Sequence, residues 1–239
     1  MNLVLFEPGE LATPLPHADP RARHITQVLR RAVGDAFVAG VADGPTGVAT
    51  VRASVAEGLV LDFAPGEPPP PLPPVHLILG LPRPQTARDI LRDAATLGAA
   101  SIRFVATERS DPNYASASLW TSGEWRRHVL AGVSQACDTR LPRVAWTETL
   151  AQALADAHGC RLAPDNYEAT TSLATALAGR AATEPLTLAL GPERGWGAAD
   201  RHALRAAGFT LCSLGSRVLR LETAVVAALT LALNPADPH

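Results

Sequence analysis

Hydrophobic and polar positions follow one pattern in residues 1–64 and another after residue 74. In the first stretch, apolar runs of strand length are separated by turn signals such as Asp-Gly-Pro and Glu-Gly. These runs predict strands at residues 3–6, 35–41, 47–53 and 59–63. A segment with helical spacing at residues 20–32 predicts one helix among them. The pattern therefore favours a small β-barrel with one helix.

Beyond residue 74, apolar runs without polar alternation are separated by segments with helical spacing. A run that does not alternate is typical of a parallel strand buried on both faces. The predicted strands are residues 75–81, 101–106, 161–163, 186–190 and 210–214. The predicted helices are residues 86–97, 124–137, 150–158, 171–178, 198–207 and 222–233. This succession predicts an α/β domain with a parallel sheet that is covered on both faces.

A proline-rich stretch separates the two patterns. Seven of the ten residues at positions 65–74 are proline, a composition that excludes a helix or a central strand and favours an extended spacer. We therefore expect a β domain at residues 1–66, a linker at residues 67–74 and an α/β domain at residues 75–239.

Composition and charge exclude some classes of protein. The hydrophobic fraction is 47% and the charged fraction 18%, which argues against a disordered chain. All 21 basic residues are arginine and the formal net charge is −2, so the chain lacks the strongly basic character of many nucleic-acid binders. Residues 67–239 carry sixteen arginines and sixteen acidic residues, so any contact with nucleic acid must be local.

The sequence gives no sign of a membrane or metal partner. The first residues lack the basic segment of a signal peptide, and the longest apolar stretch, residues 224–233, is about half of a membrane span. We therefore expect a soluble, cytoplasmic protein. The three cysteines and seven histidines form no metal-ligand motif, so no metal is expected.

Two loops that follow predicted strands carry the candidate chemistry. The first reads Leu-Gly-Pro-Glu-Arg-Gly-Trp-Gly from Leu190, and the second reads Leu-Gly-Ser-Arg-Val-Leu-Arg-Leu-Glu-Thr-Ala from Leu214. Ligands of parallel α/β sheets bind at the carboxyl ends of the strands. The chain contains no dinucleotide fingerprint, Walker loop or hydrolase serine elbow. These residues alone predict a ligand-binding α/β domain without naming the ligand.

These loops and their spacing resemble the RsmE family, the 16S ribosomal RNA uridine-N3 methyltransferases of the SPOUT superfamily. The resemblance extends to His24-Ile-Thr-Gln-Val-Leu-Arg, Leu81-Pro-Arg and Thr107-Glu-Arg-Ser, in the expected order. It implies a PUA-like β-barrel followed by a trefoil-knot methyltransferase domain, working as a homodimer. It also implies transfer of a methyl group from S-adenosyl-L-methionine to N3 of a uridine near the 3′ end of 16S rRNA, in the decoding region of the small ribosomal subunit.

The resemblance assigns the cofactor to backbone and apolar groups of the two loops. The implied cofactor residues are Leu190, Gly191, Pro192, Glu193, Gly195, Leu214, Gly215, Val218, Leu219, Thr223 and Ala224. A third cofactor loop is expected at residues 163–166, after a short strand. Glycines suit these positions because no side chain blocks the approach of a ligand to the backbone.

Four charged residues are the catalytic candidates. Methylation at N3 requires that the uridine lose a proton and that its developing negative charge be stabilised. Arg220 or Arg217 is the candidate for the charge, and Glu193 or Glu222 is the candidate proton acceptor. Two alternatives remain open: the arginines pair with these glutamates to lock the loop, or Glu222 only complements the dipole of the last helix.

For RNA binding the first candidates are His24, Arg30 and Arg31. His24 and Arg31 lie seven residues apart and are expected to share a face of the predicted helix. Arg140 is the second candidate. A solvated surface without RNA contact is the alternative for the helix residues.

The chain also departs from the family pattern. Arg194 stands where glycine is usual, Trp196 where phenylalanine is usual, Gly197 where serine or threonine is usual, and Asp138 where arginine is expected. Two further functions therefore stay open: a SPOUT methyltransferase with another RNA target, or a non-catalytic ribosome assembly or RNA-binding factor.

Overall fold

The computed structural model describes residues 3–234 and divides into two compact units. The first comprises Met1–Pro71 together with Val133–Leu141, and the second comprises Leu72–Gly132 together with Pro142–His239. Residues 66–74, which include the whole predicted linker, form no helix or strand.

The first unit is built on a four-stranded sheet. Its strands are β1 (Val4–Phe6), β2 (Ala36–Val41), β3 (Thr46–Val55) and β4 (Gly58–Pro65), paired in that order. The β1–β2 pair is parallel and the other two are antiparallel. Buried apolar side chains of the sheet, among them Phe6, Phe37 and Leu59, form one core with Ile25.

The sheet of the first unit stays open among residues 3–234. No ladder joins β4 back to β1, and β4 instead meets the segment before the first helix through a single bridge between Leu15 and Leu59. The predicted strands are confirmed, whereas the PUA-like barrel stays a prediction.

The predicted helix at residues 20–32 is shorter than expected. It consists of α1 (Pro20–Arg23), capped by Asp19, and one π-helical turn, His24–Val28. The Thr26 hydroxyl donates to the Ala22 carbonyl oxygen, and Arg30 has a φ of 53°, a left-handed conformation that ends a helix. Arg31 therefore lies beyond the helix, and the expectation that it shares a helix face with His24 is wrong.

The second unit contains the predicted parallel sheet, with seven strands. They are β5 (Val75–Gly80), β6 (Ser101–Ala106), β7 (Arg143–Thr149), β8 (Cys160–Pro164), β9 (Thr171–Ser172), β10 (Leu186–Leu190) and β11 (Thr210–Ser213). The order across the sheet is β7-β6-β5-β10-β8-β11-β9, and every pair is parallel. The sequence missed β7 and β9, which are the two edges.

Helices cover the sheet on both faces. They are α2 (Pro84–Thr96), α3 (Ser118–Thr121), α4 (Glu124–Gln135), α5 (Leu150–Ala155), α6 (Leu173–Leu177), α7 (Ala198–Ala206) and α8 (Leu221–Leu233). Side chains of α5 and α7 share a core with Ile78 and Trp196, while α8 packs against α2 and α6. Among residues 3–234, no helix combines the length and the apolar character needed to cross a bilayer.

The segment Val133–Leu141 belongs to the first unit, although the sequence places it in the second domain. Its contacts explain the difference. Leu3 N–H donates to the Ser134 carbonyl oxygen at 3.2 Å, and Asp43 N–H donates to the Thr139 carbonyl oxygen at 2.7 Å. The Thr139 side chain is fully buried and its hydroxyl donates to the Gly44 carbonyl oxygen at 2.5 Å. These bonds join residues about a hundred positions apart, which no local pattern reveals.

Candidate active site

A cleft opens where three adjacent parallel strands end. Residues 191–196 follow β10, residues 165–167 follow β8, and residues 214–220 follow β11 and lead into α8. The order β10-β8-β11 in the sheet brings these three loops together. The position agrees with the general location of ligand sites at the carboxyl edge of such sheets.

Two glycines allow the tight course of the loop after β10. A Cβ on Gly191 would lie 2.8 Å from the Gly195 carbonyl carbon and the Trp196 nitrogen, so a side chain does not fit there. Gly195 has a φ of 69° and its N–H donates to the Pro192 carbonyl oxygen at 2.7 Å. The loop therefore doubles back on itself and presents backbone atoms to the cleft.

A buried ion pair fixes the loop after β8. The Asp165 carboxylate accepts hydrogen bonds from the Tyr167 and Glu168 N–H groups at 2.8 and 2.6 Å. It also accepts one from Arg201 Nε of α7 at 2.8 Å, and the two side chains are only 1% and 7% exposed. The Arg201 guanidinium also lies over the Tyr167 ring, 5.3 Å from its centroid. Asp165 thus holds the loop rather than facing a ligand as a free charge.

The walls of the cleft expose apolar and aromatic surface. Val218 is 81% exposed and Tyr167 is 75% exposed, and both line the cleft with Leu190, Leu214 and Leu219. Large exposed apolar side chains grouped in a concave site indicate a surface that a ligand covers.

Most of the predicted cofactor residues line this cleft. They are Leu190, Gly191, Pro192, Glu193, Gly195, Leu214, Val218, Leu219 and Ala224. Gly215, on the loop after β11, and Thr223, in the first turn of α8, lie outside the lining. Sequence reasoning did not assign Tyr167, Trp196 or Leu221 to the cofactor, although all three contribute to the wall. Their positions beside the predicted loops were the one available signal.

The catalytic candidates differ in their surroundings. The Glu193 carboxylate lines the cleft and accepts a hydrogen bond from Arg83 N–H at 2.9 Å. Arg220 Nη1 lies 3.9 Å from Glu222 Oε1, a long contact on an 87% exposed side chain. Arg217 is exposed and makes no side-chain hydrogen bond or ion pair within residues 3–234. Among the described residues, neither arginine pairs with Glu193, and the single pair of the kind expected to lock the loop is the long contact between Arg220 and Glu222.

Comparison with known proteins identifies the family. The family model of the RNA methyltransferase domain matches residues 68–233. Ribosomal RNA small subunit methyltransferase E of Treponema pallidum (strain Nichols) is 34% identical, over 98% of this chain and 91% of that protein. The chain belongs to the ribosomal RNA small subunit methyltransferase E family. As a member of this family, the protein is an RNA methyltransferase.

Another family member matches nearly the whole chain, and two solved structures share its fold. Ribosomal RNA small subunit methyltransferase E 1 of Borreliella burgdorferi is 25% identical, over 95% of both chains. The Neisseria gonorrhoeae methyltransferase E, solved with S-adenosyl methionine bound, superposes with a TM-score of 0.73 at 23% identity and covers 95% of both chains. A Legionella pneumophila protein solved with bound SAM gives a TM-score of 0.77 at 22% identity, over 97% of both chains.

Gly197 departs from the serine or threonine usual in the family, and its surroundings give a physical reason. Its φ of −77° suits any residue, but a Cβ there would lie 2.0 Å from Glu108 Oε2 and 2.7 Å from Glu108 Cβ. Glu108 Oε2 accepts a hydrogen bond from Ala199 N–H at 3.1 Å, and Asp200 Oδ2 accepts one from Gly197 N–H at 2.9 Å. Glu108 thus caps the Ala199 N–H of the first turn of α7, which a side chain at position 197 would otherwise do. Asp200 supplies the reciprocal bond of a capping box, from the first turn back to the Gly197 N–H.

The predicted RNA-binding residues all lie in the first unit. Arg30 and Arg31 are exposed, and His24 is half-buried with an Nε2 atom that has no hydrogen-bond partner among the described residues. Arg140 donates to the Pro69 and Pro70 carbonyl oxygens at 3.1 and 3.4 Å, so it holds the proline-rich segment. Assignment of these four residues to RNA stays a prediction. Residues 3–234 contain no cluster of side chains suited to a metal ion.

Proposed function

We propose that the protein transfers a methyl group from S-adenosyl-L-methionine to N3 of a uridine near the 3′ end of 16S rRNA, in the decoding region of the small ribosomal subunit. The observation that carries this proposal is the three-loop cleft at the ends of β10, β8 and β11, in a chain of the methyltransferase E family.

The cleft fits the cofactor in its chemistry. Exposed Val218 and Tyr167, with the neighbouring leucines, offer apolar surface to an adenine ring. Gly191 and Gly195 leave backbone groups accessible to polar atoms of the ribose and the methionine part. When bound, S-adenosyl-L-methionine supplies an electrophilic methyl group on a sulfonium. The reaction uses no metal in this proposal.

Side chains of the chain itself carry the proton and the charge. Glu193 accepts the N3 proton, because its carboxylate lines the cleft and has no cationic partner within residues 3–234. Arg217 and Arg220 stand on the loop after β11 with largely free guanidinium groups. One of them stabilises the negative charge that develops on O2 or O4 of the uridine. The N3 lone pair then forms the N–C bond as the S–C bond breaks.

The family relationship also supports finer expectations about architecture and partners. We propose that the carboxyl-terminal domain forms a trefoil knot, that the first unit acts as a PUA-like RNA-binding domain, and that two copies of the chain form a homodimer. The RNA substrate is 16S rRNA within the 30S subunit, which places the enzyme in the cytoplasm.

A reconstituted reaction tests the proposal. Purified protein, S-adenosyl-L-methionine and small subunits from a strain that lacks the homologous gene are expected to yield one N3-methyluridine, detected by nucleoside mass spectrometry and mapped on 16S rRNA. Methylation of another RNA or another atom would replace the proposed substrate, and cofactor binding without any turnover would favour a non-catalytic factor.

A Glu193→Gln variant tests the proton acceptor in the same assay. Glutamine can still accept the hydrogen bond from Arg83 N–H but takes up no proton at neutral pH. We expect kcat to fall by about 100-fold or more, in the range of general-base catalysis, with unchanged cofactor affinity. An unchanged kcat would move the role to Glu222.

A further inference from the structure

A second cleft lies beside the cofactor cleft on the same edge of the sheet. It is formed where β5, β6 and β10 end, and its lining residues are Leu81, Arg83, Glu108, Arg109, Ser110, Asp111, Tyr114, Glu193 and Arg194. Because β10 is the neighbour of both β5 and β8, the loop after β10 separates the two clefts. Glu193 lines both of them. A molecule that occupies the second cleft would therefore reach the proposed proton acceptor.

The acidic side chains of this second cleft are already engaged by backbone donors. Glu108 accepts from Ala199 N–H at 3.1 Å, Asp111 from Asn113 N–H at 2.9 Å, and Glu193 from Arg83 N–H at 2.9 Å. Each carboxylate charge is therefore partly balanced by the N–H groups that it faces.

The arginine side chains of the cleft, in contrast, have no acidic partner. Within residues 3–234, Arg83, Arg109 and Arg194 take part in no ion pair. The guanidinium groups of Arg83 and Arg194 also make no hydrogen bond there, and Arg109 uses only Nη1, which donates to the Arg194 carbonyl oxygen at 2.9 Å. Several other arginines of this unit are paired with acids, as Arg88, Arg103 and Arg201 are.

We infer that this arginine cleft binds the phosphodiester backbone of the RNA strand next to the target uridine. Guanidinium groups bind phosphate oxygens through planar paired donors, and three of them surround one concave site. Tyr114 supplies an aromatic wall on which a flanking base can stack. The inference rests on the proposed function for the identity of the strand, and it adds a substrate site outside the residues assigned to RNA from the sequence.

Substitution of Arg83 and Arg194 tests the inference, because only their backbone atoms, and not their side chains, make hydrogen bonds among the described residues. In the Arg83→Gln/Arg194→Gln variant, the N–H of residue 83 can still donate to Glu193, and Arg109 can still donate to the carbonyl oxygen of residue 194. The matched control is Arg92→Gln/Arg127→Gln, which removes the same charge from exposed positions on α2 and α4 outside either cleft. Fluorescence anisotropy measures binding of a single-stranded oligoribonucleotide with the 3′-terminal 16S sequence at several salt concentrations, and calorimetry measures cofactor binding.

The cleft variant is expected to bind the RNA about ten-fold or more weakly than the control, because it loses charge-assisted hydrogen bonds to phosphate. The slope of log affinity against log salt should fall by about 1.4, or about 0.7 for each phosphate contact removed. Cofactor affinity should be unchanged in both variants. Equal RNA affinity and equal salt slope in the two variants would overturn the inference, whatever the wild-type protein methylates.

A second pair of variants distinguishes a nucleotide from a simple anion. Tyr114→Phe keeps the ring and should retain RNA affinity, whereas Tyr114→Ala should lower it about ten-fold through lost stacking. If inorganic phosphate at millimolar concentration occupies the site and Tyr114→Ala leaves RNA affinity unchanged, the cleft is an anion site and the RNA inference fails. Mass spectrometry of rRNA methylated by the wild-type protein reports the proposed function separately.

Discussion

Two arginines of α7 hold the same loop with unequal strength. Arg201 pairs with Asp165 in a buried contact, and Arg205, one turn later, pairs with Glu168 on the surface, where the two side chains are 49% and 45% exposed. A buried pair that loses one partner leaves an uncompensated charge, whereas a solvated pair contributes little. The loop after β8, which forms one wall of the proposed cofactor cleft, should therefore depend on Arg201 and not on Arg205.

We predict that Arg201→Ala lowers the free energy of unfolding by about 3–5 kcal/mol and weakens cofactor binding, because Asp165 loses its partner and the loop its anchor. Arg205→Ala should cost less than about 1 kcal/mol and leave cofactor binding intact. Urea denaturation and calorimetry measure the two effects. Asp165→Asn provides a second variant, since the amide keeps an acceptor for Tyr167 N–H without the charge. Equal losses in both arginine variants would contradict the assigned roles.

Single residues differ in how far the sequence reveals them. Gly195 and Gly191 could be predicted, because tight loops after buried strands need residues without side chains. The Asp165–Arg201 pair could not, since its members lie 36 positions apart and no local rule links them. The arginine cleft was missed for the same reason: Arg83, Arg109 and Arg194 come from three separate loops.

At the scale of elements, one glutamate ties α2 to α4. Glu124 at the start of α4 accepts two hydrogen bonds from Arg88 of α2, at 3.0 and 3.2 Å, and further ones from Arg127 and His128. The bonds from Arg88, followed by that from His128, lower the pKa of Glu124 from its ordinary value of 4.5 to about 2. The ionised carboxylate is thus favoured in the folded state.

This lowered pKa predicts a pH dependence of stability. A carboxyl group whose pKa is lower in the folded protein stabilises it above the unfolded-state pKa, and that contribution is lost as the pH falls through the folded-state value. The difference in unfolding free energy between the wild type and Glu124→Gln should therefore be constant above about pH 5 and shrink between pH 4.5 and 2. Urea denaturation across this range measures it. Arg127→Gln, which removes only an exposed partner, should show a much smaller difference; a gap between the wild type and Glu124→Gln that does not change with pH would contradict the prediction.

Elements in the middle of the sheet were predictable and elements at its edges were not. Strands β5, β6 and β10 are largely buried and predominantly apolar, because helices cover both faces of the sheet there. Strand β7 pairs only with β6, so it carries Arg143 and Glu148 and gives no apolar run. Its Trp146 instead stacks on Trp120, with ring centroids 5.3 Å apart, a long-range contact that periodicity does not report.

At the scale of the molecule, the division into a β unit and an α/β unit follows from the change of pattern near the proline-rich stretch. The assignment of Val133–Leu141 to the first unit does not follow from that pattern, because it depends on hydrogen bonds with Leu3, Asp43 and Gly44. Domain limits drawn at a linker assume that the chain crosses between units once. Here it returns, so a fragment that ends at residue 71 would lack part of its own unit.

Helix α8, the last helix of the described chain, has an uncovered side that predicts how two copies of the chain associate. Helix α8 is apolar on nearly all sides: Glu222 is its one charged residue, and Leu231 is 38% exposed. A helix of this composition is normally buried all round, so the uncovered side favours a contact with a second copy of the chain. In a two-fold dimer each substitution occurs twice in the interface, which amplifies the effect of one introduced charge.

We therefore predict that the wild-type protein sediments as a dimer and that Leu231→Arg sediments as a monomer. Ala131→Arg, at an exposed position on α4, introduces the same charge elsewhere and should remain dimeric. Because association stabilises the folded state by mass action, the thermal midpoint of the wild type should rise with protein concentration, and that of Leu231→Arg should not. This second measurement separates loss of the dimer from damage to the fold, since a damaged fold lowers the midpoint without removing its dependence on concentration. A wild-type protein that sediments as a monomer, or a Leu231→Arg variant that stays dimeric, would show that this side of α8 is not the interface.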